Sequence, residues 1–161
     1  MAAPAWQNEI IDMAGSSGAF FAPLRTFLID FDVEQRDRME RDLRSAGFLD
    51  IVALPNVATA LYLLNMLGCD LVIVEFGADC LRLLQLLAHE RHIDTFVIAM
   101  ASAGPMPEIR LERPVGVDVL LHKPVARSDL MEAIAAFRSS RQSRNLPYPQ
   151  PELLGGDAAP A

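Results

Sequence analysis

Five short apolar runs alternate with helix-patterned segments along the middle of the chain, and no other feature of the sequence limits the fold as much. The apolar runs occupy residues 26–29, 50–54, 70–75, 95–100 and 117–121. Helical patterns occupy residues 33–46, 57–67 and 80–89, and a last one follows Ser128 as its capping residue. Runs that are apolar at successive positions are typical of parallel strands covered on both faces. Because crossovers between parallel strands are right-handed, the series predicts a doubly wound α/β sheet of five strands.

The composition changes at both ends of this series. Residues 1–24 form a leader that the glycines and serines of 15–18 divide, and residues 139–161 form a tail rich in proline. Proline disfavours both helix and central strand, so we predict a disordered tail, a partly disordered leader and one folded domain over residues 25–138. Phe20 and Phe21 of the leader either dock on this domain or belong to a disordered segment.

Charge and hydropathy exclude several classes of function. The 161 residues carry a formal net charge of −7, which disfavours binding to phosphate backbones. No apolar stretch approaches the roughly 18 residues of a membrane span, and no basic segment precedes an apolar run as in a signal peptide. Cys69 and Cys80 fit neither a redox pair nor a zinc site, which favours reduced thiols. We therefore expect a soluble cytoplasmic protein that contacts neither nucleic acid nor membrane.

Polar residues follow or end four of the predicted strands. Asp30 follows the first strand, Glu75 ends the third, Ser102 follows the fourth and Lys123 follows the fifth. In a doubly wound sheet, ligands bind beyond the carboxyl ends of the strands. These residues therefore form the candidate functional site.

Taken together, these segments resemble the receiver domain of bacterial response regulators, of the chemotaxis-regulator type. The similar segments are FLIDFD (27–32), DLVIVE (70–75), FVIAMAS (96–102) and GVDVLLHKPV (116–125). The resemblance covers roughly residues 25–138. It implies a flavodoxin-like three-layer sandwich with strand order 2-1-3-4-5, and a place in two-component phosphorelay signal transduction.

The resemblance also implies a phosphoacceptor pocket, and several residues of this chain depart from the family pattern there. Asp30 matches the first of two acids that help to hold Mg²⁺ in the family, but Phe31 stands at the position of the second. Glu75 stands where the family has the phosphoaccepting aspartate. Ala101 stands at the position of the threonine or serine that senses the phosphoryl group, and Lys123 matches the lysine that contacts it.

Two neighbouring positions bear on how such a pocket would signal. Leu120 stands where the family has its switch aromatic residue, and Ser102 supplies a hydroxyl beside Ala101 if the loop shifts. The family's relay from pocket to surface is therefore absent from the pattern. The sequence leaves open whether the domain is fixed in an active-like or an inactive-like state.

These departures predict a degenerate pocket without catalytic residues. Mg²⁺ requires oxygen ligands in near-octahedral geometry, and a phenyl ring supplies none. Glutamate is longer than aspartate by roughly 1.5 Å, and a misplacement of about 1 Å can slow a reaction about 100-fold. We therefore expect no cofactor, weak or absent Mg²⁺ binding with Asp30 and Glu75 as the remaining candidate ligands, and a direct pair between Glu75 and Lys123.

The sequence leaves three functions open. The first is an atypical single-domain response regulator, or pseudo-receiver, which is not an enzyme and acts by protein–protein interaction with a histidine kinase, a phosphotransfer protein or another regulator. The second is a receiver that accepts phosphate at Glu75 or Asp79. The third is a small flavodoxin-like enzyme, although no glycine-rich phosphate loop follows the first strand.

Other groups have plainer interpretations. Asp32 is expected to cap a helix rather than to bind a metal ion. His89 and His92 have the spacing of one helix face but lack the further ligands of a metal site. The helices over 57–67 and 80–89 carry more apolar residues than one packed stripe needs. The surplus either thickens the core or forms a binding or homodimer surface.

Overall fold

A five-stranded parallel sheet forms the centre of the computed structural model, which describes residues 24–77, 79–89, 92, 94–102, 116–144 and 146. The strands are β1 (Arg25–Ile29), β2 (Asp50–Leu54), β3 (Leu71–Glu75), β4 (Phe96–Ala101) and β5 (Val119–His122). The helices of the described residues are α1 (Val33–Ser45), α2 (Val57–Leu67), α3 (Cys80–Leu87) and α4 (Arg127–Ser143). The strand order is β2-β1-β3-β4-β5, and every neighbouring pair is parallel. The predicted doubly wound sheet and its strand order are confirmed.

Local signals fix the bounds of β2 and α2, which agree with the predicted residues. Pro55 follows β2 directly. Asn56 then caps α2, because its side chain accepts a hydrogen bond from the backbone N–H of Thr59 over 3.0 Å. Gly68 ends α2 with a φ of +65°, a left-handed conformation that glycine adopts without steric cost.

Helices cover both faces of the sheet because alternate residues of the central strands point to opposite sides. Leu28 and Ile73 belong to a core on the side of α1 and α4, where Phe137 is fully buried. Phe27 and Val72 belong to a second core on the side of α2 and α3. The arrangement is the predicted three-layer sandwich.

The predicted start of the tail at residue 139 is wrong, because α4 continues to Ser143. Arg141 is buried on the inner side of this helix. Its guanidinium group lies 5.7 Å from the centre of the Phe137 ring and 3.2 Å from Oδ1 of Asp70. These contacts with the domain stabilise the last helical turns, although serine occupies positions 139 and 140.

Two other helix ends differ from the predicted ones. The backbone of Ala126 is extended and forms the N-cap, so α4 begins at Arg127 and Ser128 lies inside its first turn rather than capping it. Helix α3 ends at Leu87. His89 and His92 therefore do not share a helix face, and His92 is buried whereas His89 is exposed.

Several predictions concern residues that lie outside the described part of the chain. These are the leader over 1–23, the proline-containing segment 103–115 and the tail over 147–161. Within the part of the chain that the structure describes, no helix is long and apolar enough to cross a membrane.

The two cysteines are free. Cys80 is buried, whereas Cys69 is partly buried. Burial raises the pKa of the Cys69 thiol to about 12. Because the thiolate is the reactive form, this thiol is chemically inert near neutral pH.

Part of the apolar surplus of α2 and α3 lies at the surface. Tyr62, Met66 and Leu67 of α2 and Leu81 of α3 are exposed. Their neighbours Leu64 and Leu83 fill the core. Leu61, Leu63 and Leu86 are partly buried and pack against the same core, so the surplus is divided between core and surface.

Candidate functional site

The carboxyl ends of four strands bring the predicted site residues together. Asp30 follows β1, Glu75 is the last residue of β3, Ser102 follows β4 and Lys123 follows β5. The four side chains form one connected set of hydrogen bonds and ion pairs. The sheet topology alone accounts for this meeting, because parallel strands end at the same edge.

Lys123 lies between the two acids. Its ammonium Nζ is 2.9 Å from Oδ1 of Asp30 and 3.0 Å from Oε1 of Glu75. The lysine side chain is 13% exposed, and it is the single lysine of the chain. Burial by itself lowers the pKa of Lys123, but the hydrogen bonds and negative charges of Asp30 and Glu75 raise it above its ordinary value. The lysine is therefore charged throughout the physiological pH range.

Asp30 is completely buried, and nitrogen donors occupy both of its carboxylate oxygens. Oδ1 accepts from the backbone N–H of Asp32 over 2.8 Å as well as from Lys123. Oδ2 accepts from Nε2 of Gln35 over 2.8 Å. Buried charges persist in proteins when they are paired and hydrogen-bonded in this way.

Gln35 is the residue of this site that sequence reasoning missed. It is buried on the inner stripe of α1 with Met39 and Leu43. A polar residue on an otherwise apolar core stripe was the available signal, since buried amides need hydrogen-bond partners. The amide reaches the edge of the sheet because α1 starts only three residues after Asp30.

Asp32 caps α1, as predicted. Its side chain accepts the N–H of Gln35 over 3.1 Å. This bond satisfies one of the free N–H groups at the helix start. It also fixes the first turn of α1, which carries Gln35 to Asp30.

Glu75 binds Lys123 directly, which confirms the predicted pair. Its Oε1 also accepts from the hydroxyl of Ser102 over 3.1 Å, and its Oε2 lies 3.5 Å from the backbone nitrogen of Phe31. Burial alone would raise the pKa of Glu75. The hydrogen bond to Lys123, its charge and the two weaker donors outweigh burial, so the pKa lies below its ordinary value.

Phe31 does not enter the site. Its side chain is 81% exposed. It lines a groove of about 320 Å³ together with Glu75, Phe76 and Asp79. Asp79 is exposed and its side chain makes no capping hydrogen bond to α3.

Ala101 and Leu120 stand where the family has the two residues that relay phosphorylation to the surface. Neither has a polar side chain. Ala101 is buried with 1% of its surface exposed, and Leu120 packs against the core on the side of α2 and α3. The hydroxyl next to Glu75 comes from Ser102 instead, one residue further along. The loop already places this hydroxyl within hydrogen-bond distance.

The donors of this site do not fit a Mg²⁺ ion. Such an ion needs about six oxygen ligands near 2.1 Å, whereas three nitrogen donors surround the carboxylate of Asp30. The ammonium group of Lys123 lies between the two carboxylates and provides the positive charge that a metal ion would provide there. Among the described residues, no group of three or more His, Cys, Asp or Glu side chains is arranged to hold a metal ion.

Comparisons of sequence and of structure give different results. No protein-family model and no curated protein matches the chain. Solved structures do match. The receiver domain of a putative LuxO repressor protein from Vibrio parahaemolyticus is 15% identical, with a TM-score of 0.65 over 77% of this chain and 97% of that one. The chemotaxis response regulator CheY4 of Vibrio cholerae is 16% identical, with a TM-score of 0.60 over 72% and 99%.

A third similar structure is described as an atypical orphan response regulator with a phosphorylation-independent regulatory mechanism. It is 20% identical to this chain, with a TM-score of 0.58 over 71% of this chain and 96% of that one. Each of the three structures matches more than two thirds of this chain. The chain therefore has the fold of response-regulator receiver domains.

Proposed function

We propose that this chain is an atypical response regulator, a pseudo-receiver that acts by protein–protein contact in two-component signalling without being phosphorylated at Glu75. Its partners are signalling proteins of the same pathway: a histidine kinase, a phosphotransfer protein or another regulator. The observation that carries the proposal is the position of Lys123, which binds Asp30 and Glu75 at once.

Lys123 binds both carboxylates that a phosphorylation reaction would need: the attacking one and the one that holds the cation. A carboxylate that attacks a phosphoryl donor needs a free oxygen and a nearby cation to neutralise the donor. Oε1 of Glu75 accepts from Lys123 and Ser102, whereas Oε2 has only the long contact with the backbone nitrogen of Phe31. The carboxylate of Asp30, which would hold the cation, is engaged by three nitrogen donors. A cation at Asp30 would have to displace Lys123 and so break charge-assisted hydrogen bonds, which are roughly twice as strong as neutral ones.

Glu75 also makes contacts, and brings negative charge, of the kind that a phosphoryl group would bring to the pocket. Its carboxylate reaches both the lysine and the hydroxyl of Ser102 in the unmodified chain. It brings one negative charge, whereas a phosphoryl group brings about 1.5 to 2. We infer that the contacts around the pocket are permanent, so partner binding does not wait for a phosphorylation event.

Intact-mass spectrometry after incubation with acetyl phosphate and Mg²⁺ tests the chemical part of the proposal. The expected result is an unchanged mass, with a conventional receiver domain in the same tube gaining one phosphoryl group. A stable added phosphoryl group on this chain would overturn the proposal. The variants Glu75→Gln and Asp79→Asn would then identify the acceptor.

A pull-down from the native cell tests the partner part. Wild-type chain and the variants Glu75→Ala and Lys123→Ala are compared as bait, each with and without acetyl phosphate. The proposal expects a two-component signalling protein to bind the wild type equally in both conditions. Binding that appears only with acetyl phosphate would contradict it.

A second candidate function is a receiver that accepts phosphate at Asp79. Its support is the exposed carboxylate of Asp79, which shares a groove with Glu75 and makes no capping hydrogen bond. This candidate expects an added phosphoryl group that Asp79→Asn abolishes and Glu75→Gln retains. The pseudo-receiver expects no adduct in any of the three proteins.

A further inference from the structure

The exposed surface of α2 carries no charge, and its large exposed side chains are apolar, with Thr59 and Asn65 exposed beside them. None of the eleven residues of α2 is acidic or basic. Tyr62, Met66 and Leu67 are 67%, 66% and 48% exposed. Tyr62 and Met66 are four positions apart, so they lie on one side of the helix. We call these three residues the α2 face.

This face differs from the exposed side of α1. The exposed positions of α1 carry charged residues such as Glu34, Asp37 and Arg41. Burying exposed apolar surface is favourable, and adjacent apolar residues of this size mark contact sites. The α2 face therefore favours an apolar occupant.

The chain enters the domain beside this face. The guanidinium group of Arg25, the first residue of β1, donates to the carbonyl oxygen of Leu67 over 3.0 Å. The side chain of Leu24 is buried on the other side of the sheet, in the core that α1 and α4 cover. The C-terminal end of α2 thus lies within reach of the Arg25 side chain. Any segment that precedes Leu24 starts from this point.

The preceding segment has the matching chemistry. Residues 1–23 include the aromatic pair Phe20 and Phe21, and they contain a single acidic pair, Glu9 and Asp12, and no lysine or arginine. Phe21 is four residues before Arg25, and four extended residues span about 13 Å. This reach covers the last turns of α2, which rise about 5.4 Å each.

We propose that Phe20 and Phe21 bind the α2 face of the same chain and cover Tyr62, Met66 and Leu67. A tether of a few residues raises the effective concentration of the aromatic pair to about the millimolar range, so contacts of modest strength suffice. The covered face is unavailable to other proteins while the pair is bound. This inference does not depend on the proposed function, because none of these residues belongs to the acid pocket.

Methyl NMR of the full-length chain tests the contact. Methionine methyl groups are labelled with ¹³C, and Met66→Leu identifies the Met66 signal among the seven methionines. The proposal expects nuclear Overhauser effects between the Met66 methyl and phenylalanine ring protons. It also expects the Met66 signal to move to the position of a solvent-exposed methionine in Phe20→Ser/Phe21→Ser.

The matched control is Leu49→Ser, which removes an apolar side chain that is 69% exposed on the connection between α1 and β2. It should leave the Met66 signal in place. An unchanged Met66 signal in the Phe20→Ser/Phe21→Ser variant would overturn the proposal. Overhauser effects that occur only between chains in a mixed-label sample would also overturn it, because they assign the α2 face to a second copy.

Discussion

The ammonium group of Lys123 donates to Oδ1 of Asp30 over 2.9 Å, although the strands that precede the two residues are not neighbours. β1 and β5 are separated in the sheet by β3 and β4. The pair forms only when β1, β3, β4 and β5 have assembled side by side. It therefore links the stability of the fold to the state of the site.

Replacing Lys123 by alanine should destabilise the protein strongly. The change leaves Asp30 buried without its cation, and removing one partner of a buried ion pair costs about 3–5 kcal/mol. Urea unfolding of wild type and Lys123→Ala measures the difference in the free energy of unfolding. The control is Arg127→Ala, whose exposed guanidinium group lies 3.8 Å from Asp42 and should change stability by less than about 0.5 kcal/mol. Equal losses in the two variants would show that Lys123 is not the stabilising partner.

The contribution of Glu75 to stability should depend on pH. Because the pKa of Glu75 is lowered in the folded state, its ionised form stabilises the fold above the ordinary glutamate pKa of about 4.3. That contribution is lost as the pH falls through the lowered value. The stability difference between wild type and Glu75→Gln should therefore be largest near neutral pH and should shrink in acid. A difference that grows in acid would mean that the pKa of Glu75 is raised.

Restoring oxygen ligands should restore Mg²⁺ binding. In the triple variant, Phe31→Asp adds a second acid and Gln35→Ala removes the amide donor from Asp30. Glu75→Asp gives position 75 the shorter carboxylate side chain. Isothermal titration calorimetry should detect saturable Mg²⁺ binding in this variant and none in the wild type. The double variant without Gln35→Ala is the matched control and should bind more weakly. If the wild type binds Mg²⁺ with equal affinity, the donors around Asp30 do not exclude the ion.

The last turns of α4 should belong to the folded domain. Arg141→Ala removes a buried side chain that pairs with Asp70 and lies over Phe137. It should lower the free energy of unfolding by about 1–3 kcal/mol, the usual cost of unsatisfying a buried partner. The comparison is Arg144→Ala, whose longer pair with Asp94 at 3.7 Å is exposed. If thermal unfolding shows no difference between the two variants, the domain ends near residue 138.

The sequence predicted the strands and the composition of the site because local signals and topology determine them. Pro55, Asn56 and Gly68 limit β2 and α2, and the ends of parallel strands meet wherever the sheet forms. The apolar stripe of α1 indicates that Gln35 is buried, but its partner Asp30 depends on the orientation of the helix, which the stripe does not give.

The extension of α4 through Ser143 was missed for a related reason. Its stabilising partner, Asp70, is 71 positions away from Arg141. The serines at 139 and 140 favour a helix end locally, and the distant contact outweighs them. Local patterns therefore gave the framework, whereas long-range side-chain contacts set the details that decide the function.

Lysine NMR tests the central claim, that Lys123 binds both acids and leaves no place for a cation. Because Lys123 is the single lysine of the chain, ¹⁵N-lysine labelling gives one side-chain ammonium signal without further assignment. Its signal should be protected from exchange with water and should stay unchanged as Mg²⁺ is added to millimolar concentration. A saturable shift of this signal on addition of Mg²⁺, with loss of its protection, would contradict the claim.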